Sequence, residues 1–85
     1  MEIFYTQKFL REYKKVSVAI KLKAEKREIL FRQNPHTTLL KTHKLKGELS
    51  DFWSFSIDFN YRIIFEFQNE KSVVFHSIGN HDIYK

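Results

Sequence analysis

The spacing of apolar residues changes along the chain, and each change marks a different kind of element. Glu2 to Tyr5 reads as a short first strand, and Thr6 carries the short oxygen-bearing side chain that suits a helix N-cap. Beyond it Phe9, Leu10, Tyr13 and Val16 recur at three- and four-residue intervals, which predicts one apolar stripe on a helix of about ten residues. Ser17 is placed to cap a second helix. There Val18, Leu22, Ile29 and the flanking Ile20 and Leu30 are expected to supply the core side, leaving Lys21, Lys23, Lys26 and Arg27 to solvent. Asn34-Pro35 ends this helix, because proline disfavours helical geometry in the residue before it. The short link between the helices predicts an antiparallel hairpin.

After a basic loop from His36 to Gly47 the period falls to two. Trp53, Phe55 and Ile57 face one way and Ser54, Ser56 and Asp58 the other, as on a half-buried strand. Asp58-Phe59-Asn60 supplies turn residues. Tyr61, Ile63, Phe65 and Phe67 then alternate with Arg62, Ile64, Glu66 and Gln68, completing a hairpin. Past the polar turn Asn69-Glu70-Lys71, Val73 and Phe75 are expected on one side of a last strand, with Val74, His76 and Ile78 on the other. Apolar residues on both sides mark that strand as central. The predicted class is α+β, in the order β-α-α-β-β-β: a two-helix hairpin packed on one face of a mainly antiparallel four-stranded sheet whose other face is partly open.

Composition narrows what such a domain can do. A chain of 85 residues buries one core, so residues 1–85 are expected to form a single domain. It has no cysteine, which removes disulfides and thiolate nucleophiles and fits a reducing, cytoplasmic setting. No run approaches the roughly 18 apolar residues of a membrane span, and no leader pattern is seen, so neither membrane attachment nor export is expected. Charge is divided unevenly. Residues 1 to 46 carry 12 basic and 4 acidic side chains, a balance of +8, whereas residues 47 to 85 carry 3 and 6, a balance of −3. A basic body of this kind suits a phosphate backbone, although a solvated helix surface gives the same count.

Two stretches carry a resemblance. Leu45-Lys46-Gly47-Glu48-Leu49-Ser50-Asp51-Phe52-Trp53-Ser54, followed by Tyr61-Arg62-Ile63-Ile64-Phe65, is similar to the segment of YoeB-type toxins in which a Leu-Lys-Gly-x-Leu-Ser-x-Phe-Trp-Ser run precedes an arginine-bearing strand. The ending Ile78-Gly79-Asn80-His81-Asp82-Ile83-Tyr84 resembles the Gly-x-His tail of YafQ-type toxins and the tyrosine-ended tail of RelE. The chain thus resembles the RelE/ParE superfamily of toxins over essentially its whole length. For the RelE, YoeB and YafQ branches this implies ribosome-dependent cleavage of mRNA, for the ParE branch inhibition of gyrase, and for all of them silencing by an antitoxin.

Carried over by position, Arg62 lies where these RNases keep a phosphate-binding arginine. His43 lies where YoeB relatives place an acid/base glutamate and YafQ relatives a histidine. His81 matches the YafQ tail histidine and Tyr84 the RelE tail tyrosine. The pattern departs at Ser56, where YafQ has its strand histidine, at Asn60, where it has an aspartate, and at Trp53 and Phe55, where RelE has lysines. Cutting RNA without a metal takes a base for the ribose 2′-OH, a cation over the phosphate and an acid for the departing 5′ oxygen. Histidine suits both proton roles near neutral pH. The candidate catalytic residues are therefore His43, Arg62, His81 and Tyr84, with His43 taken as base and His81 as acid. Lys41, Lys44, Lys46, Ser54 and Ser56 are the candidate RNA contacts. Trp53 and His76 are read as structural and His36 as an exposed loop residue. No metal or cofactor is expected, and the implied partners are a cognate antitoxin, mRNA and the ribosome.

Overall fold

The computed structural model describes residues 1–80, so His81 and Tyr84 lie outside the described residues. Strand β1 (Glu2–Tyr5) leads into helices α1 (Gln7–Lys15) and α2 (Val18–Gln33). Strands β2 (His43–Lys44), β3 (Trp53–Ser56), β4 (Tyr61–Asn69) and β5 (Ser72–Asn80) follow, with short 3-10 turns at Thr38–Leu40 and Gly47–Leu49. The caps are the expected ones: Thr6 Oγ1 accepts from the Phe9 amide and Ser17 Oγ from that of Ile20. The α+β class and the helix-then-hairpin order hold.

The sheet has five strands rather than four, ordered β1-β5-β4-β3-β2. The additional strand, β2, lies inside the expected basic loop, where two residues are too few to show a period. β1 joins the sheet by pairing parallel to β5, Glu2 opposite Ser72 through Tyr5 opposite Phe75. A parallel pair needs a crossover, and the helices supply it. Beyond Tyr5 the edge of β5 loses its partner strand, and α1 fills the gap. Glu12 Oε1 accepts from the Ile78 amide at 3.2 Å and from Ser77 Oγ at 2.8 Å, while Thr6 Oγ1 donates to the His76 carbonyl at 3.1 Å.

The core is built of rings. Phe31 of α2 is fully buried, its ring centroid 4.9 Å from those of Phe55 and Phe65 and 5.5 Å from that of Phe75. Phe9 of α1 meets Phe75 at 5.6 Å and stacks on Tyr5 and Tyr13. Two sequence expectations change here. On α2 the buried residues are Ile20, Ala24 and Phe31, whereas Val18, Leu22 and Ile29 are 71%, 55% and 59% exposed. Both triplets have the spacing i, i+4, i+11, one set two residues ahead of the other, so the helix is apolar on opposite sides. The side that turns inward is the one carrying a phenylalanine to fill the core and an alanine that allows close approach. On β5 a register shift between Phe75 and Ser77 breaks the alternation, so that Ile78 joins Val73 and Phe75 in the core instead of facing away with His76.

Candidate functional site

Residues directly opposite each other in a sheet project from the same face, so the register assembles the open side. One row across it runs His43, Ser54, Ile64 and Ser77, from β2 to β5. The next row holds Ser56, Arg62 and Gly79. His43 and Arg62 therefore share the face away from the helices. Two strand spacings and one two-residue step place their Cα atoms about 12 Å apart, within reach of one phosphodiester from both sides.

Each of these side chains is positioned by local bonds. The exposed His43 ring sits 3.0 Å from the Lys41 carbonyl through Nδ1. A carbonyl only accepts, so Nδ1 carries a proton, and in the neutral ring Nε2 then holds the lone pair that a general base requires. Lys41 is the only non-glycine residue with positive φ among the described residues, at 53°, and this left-handed turn sets its carbonyl beside the ring. Arg62 is half-buried and stitches the β3–β4 turn. Its Nη1 donates to the carbonyls of Asp58 at 2.7 Å, Tyr61 at 3.1 Å and Phe59 at 3.3 Å. These bonds use one of its nitrogens, and the guanidinium has further donors on Nε and Nη2. No carboxylate pairs with it among the described residues.

Asp58 serves the turn instead, its Oδ1 accepting from the amides of Asn60 (2.9 Å) and Tyr61 (2.8 Å) and its Oδ2 facing Lys23 Nζ at 3.4 Å. Burial pushes the Asp58 carboxyl up, but those two amides and Lys23 outweigh it and hold the group below its ordinary value. It stays a carboxylate, and the turn that carries Arg62 stays shut.

The remaining candidates divide. Lys41 and Lys46 are exposed along the segment that enters beside this face. Lys44 stands opposite Trp53, whose ring packs toward the core, so the register turns Lys44 away from the His43 row. Ser56 is 9% exposed beside Arg62, but Ser54 is fully buried, which makes it part of the scaffold rather than a surface contact. Trp53 is structural, as expected. His36 is an exposed loop residue, as expected, and its ring lies 5.6 Å from Trp53 and 5.7 Å from Phe67.

No family model and no curated protein matches this chain. Solved structures do. A YoeB/ParE toxin from Agrobacterium tumefaciens superimposes with a TM-score of 0.79 over 95% of this chain and 99% of its own, at 18% identity. The RelBE2 toxin-antitoxin complex from Mycobacterium tuberculosis matches at 0.78, over 94% of this chain and 96% of the other, at 17% identity. YafQ from E. coli gives 0.72, with 98% and 96% covered and 17% identity. The chain has the fold of the RelE/ParE toxins.

Within this RelE/ParE fold the open face also holds groups that spacing did not single out. His76 Nε2 lies 3.2 Å from Glu66 Oε1, and the Phe52 ring meets the imidazole edge-on with centroids 4.9 Å apart. His76, read from sequence as structural, does hold its neighbours, but it does so in a recess on this face. That recess, about 270 Å³, is bounded by Thr6, Lys8, Leu49, Phe52, Ile64 and Ser77 as well. Alternation had already placed Glu66, the partner of His76, on the open side. A second recess of about 230 Å³ opens between the helices, lined by Tyr5, Phe9, Leu10 and Tyr13 with Glu25 and Glu28 at its rim. Among the described residues that line it there is no lysine or arginine. Among the described residues no helix is long and apolar enough to cross a membrane.

Proposed function

We propose that the chain is a toxin that acts as a metal-independent endoribonuclease on mRNA in the ribosomal A site, and that an antitoxin silences it. The observation that carries this reading is the sharing of one open sheet face by His43 and Arg62, with Lys41 and Lys46 alongside, on the fold of toxins. His43 Nε2 takes the proton of the ribose 2′-OH, and the 2′ oxygen attacks the phosphorus. Arg62 stabilises the charge gathered on the phosphate oxygens. The 5′ oxygen leaves with a proton from His81, and a 2′,3′-cyclic phosphate remains. Tyr84 is assigned to contact or stack on the RNA. The chain needs no cofactor for these steps, and the ribosome supplies the alignment that so few groups cannot impose on a flexible strand. Exposed apolar residues Val18, Leu22 and Ile29, among the lysines of α2, offer an antitoxin segment both apolar and charged contacts.

Expression of the protein in growing cells, with mapping of transcript 5′ ends, tests the reading. Cuts in phase with codons are expected. DNA breaks with a DNA-damage response and intact transcripts would instead identify a gyrase inhibitor. Intact RNA with retained RNA binding would identify a non-catalytic relative.

A further inference from the structure

The recess between the helices has a charge opposite to that of its surroundings. Residues 1 to 46 carry 12 basic and 4 acidic side chains, and helix α2 sets five basic residues against only Glu25 and Glu28. Both of those acids stand at this recess. Its walls are aromatic. Tyr5 and Tyr13 each stack on Phe9, with ring centroids 5.5 and 5.9 Å apart, and Tyr5 meets Phe75 edge-on at 5.7 Å. The Tyr5 hydroxyl donates to Glu28 Oε1 at 2.5 Å, which holds that carboxylate beside the rings and leaves Oε2 for another donor. Among the described residues neither Glu25 nor Glu28 is in an ion pair. The cations nearby donate elsewhere. Arg32 bonds the Met1 carbonyl at 3.0 Å, and Lys21, whose ammonium lies 5.8 Å from the centre of the Tyr13 ring, bonds the Lys14 carbonyl at 3.4 Å. Burial raises both phenols, Tyr5 to about 12, and the carboxylates add to the rise: Glu28 at Tyr5, where Arg32 opposes it, and Glu25 with Glu28 at Tyr13. Both phenols therefore stay neutral, in a negative field.

We propose that this recess is a socket for one arginine side chain of a partner protein, its stem and planar head lying along the rings of Tyr5 and Tyr13 and its N–H groups reaching Glu25 and Glu28. A volume of about 230 Å³ lies below the range of about 300 to 1,000 Å³ for drug-sized ligands, so the space suits a single side chain presented by a larger molecule. The ring faces attract a cation and the carboxylates bind it, whereas the same groups turn away a phosphate. Arginine matches better than lysine, because a flat guanidinium stacks on a ring while it bonds two oxygens side by side, and a strongly hydrated ammonium does neither as well. The recess opens on the helix-covered side of the sheet, where Phe9 meets Phe75, opposite the face of His43 and Arg62. RNA at Arg62 therefore leaves it open to a partner. The inference rests on the reading that an antitoxin silences the chain, to which it adds a register: a segment acidic enough to cross the lysines of α2 sets an arginine here.

The test uses the free protein. Short peptides with a single arginine, lysine or citrulline between two leucines are titrated into isotope-labelled protein at low salt, following the ring signals of Tyr5, Phe9 and Tyr13. The arginine peptide should move these signals. Citrulline keeps the planar shape and lacks the charge, so its peptide should bind about tenfold more weakly, the loss expected when a charge-assisted bond becomes a neutral one. The lysine peptide should fall between the two. Glu25→Gln combined with Glu28→Gln keeps both side-chain lengths and should bring the arginine peptide down to the citrulline level. Should the double variant not fold, Glu25→Gln alone decides, since Glu25 is exposed: it should weaken the arginine peptide about threefold, the size of an exposed charge pair, and leave the citrulline peptide unchanged. Equal affinity of the arginine and citrulline peptides, lysine binding as tightly as arginine, or a short oligoribonucleotide that moves the same signals would each overturn the proposal. An arginine-selective recess on a protein whose toxicity no antitoxin relieves would sink the silencing reading alone. An antitoxin that captures the double variant as tightly as wild type would sink the socket alone.

Discussion

The two faces of strands β3, β4 and β5 are made by the same residues in alternation, yet they have opposite chemistry. Under the helices lie Phe55, Ile57, Ile63, Phe65, Val73 and Phe75, all at 2% exposure or less. On the other side lie Ser56, Arg62, Glu66 and His76, with hydroxyl, guanidinium, carboxylate and imidazole in reach of solvent. The first face is redundant in its chemistry, since any well-shaped apolar set would close it. The second is not, because Arg62 holds the carbonyls of its turn and Glu66 pairs with His76. Stability should accordingly be lost by damage to the first face and activity by damage to the second.

The largest effect belongs to the helix-covered face. Phe31 touches three other rings, and Phe31→Ala should cost about 3 to 5 kcal/mol, comparable with the whole stability of a domain this small. Denaturant unfolding should show a lost or strongly lowered midpoint. Phe31→Leu, which keeps most of the volume, should retain a cooperative transition with a smaller loss. A cooperative Phe31→Ala protein with a near-unchanged midpoint would mean that the ring cluster is not the centre of the core.

On the open face, Arg62→Ala should lower ribosome-dependent cleavage by about 10² or more, equivalent to about 3 kcal/mol of transition-state stabilisation. Because its Nη1 also holds three turn carbonyls, the same change should reduce stability by about 1 kcal/mol. Rates are therefore to be compared per folded molecule. A rate deficit that vanishes after this correction would reduce Arg62 to a turn stitch.

Asp58 sits where the two faces meet, and its effect is smaller and depends on pH. Its carboxyl is held below the ordinary value, so the stability it contributes is present above the usual carboxylate pKa of about 3.9 and is lost as pH falls through the lower, folded value. Asp58→Ala should cost about 1 to 2 kcal/mol at neutral pH by freeing the amides of Asn60 and Tyr61. The gap between wild type and variant should close in acid. Thermal unfolding of both proteins across that range checks it, and a gap that widens in acid would show the sign to be wrong.

How far these faces could be read in advance depended on the range of the interactions that define them. Alternation in β3 and β4 is local, so Arg62 and Ser56 were placed on the open side from sequence. The parallel pairing of β1 with β5 joins residues about seventy positions apart along the chain, and nothing in either segment announces it. The register shift near His76 is invisible for a different reason, since apolar residues occur on both sides of β5 and either phase satisfies the pattern. His43 was placed by resemblance. What brings it into line with Ser54 is a two-residue strand that no period reveals.

Helix α2 gives the weakest effect and the cleanest discrimination. Its two stripes, Ile20, Ala24 and Phe31 against Val18, Leu22 and Ile29, have the same spacing, so periodicity alone cannot say which is core. The structure leaves the second outside, with Leu22 more than half exposed. Leu22→Ser should therefore change stability by no more than about 0.5 kcal/mol, the usual range for surface positions. A leucine in the core would lose several kilocalories on the same change, because both the transfer energy and a cavity would be at stake. Urea unfolding of the isolated protein separates these outcomes by their midpoints at equal slope. A large loss in the isolated protein would return Leu22 to the core and rotate the helix. A small loss there, joined to weaker capture by an antitoxin, would show instead that the outer stripe exists for contact with a partner.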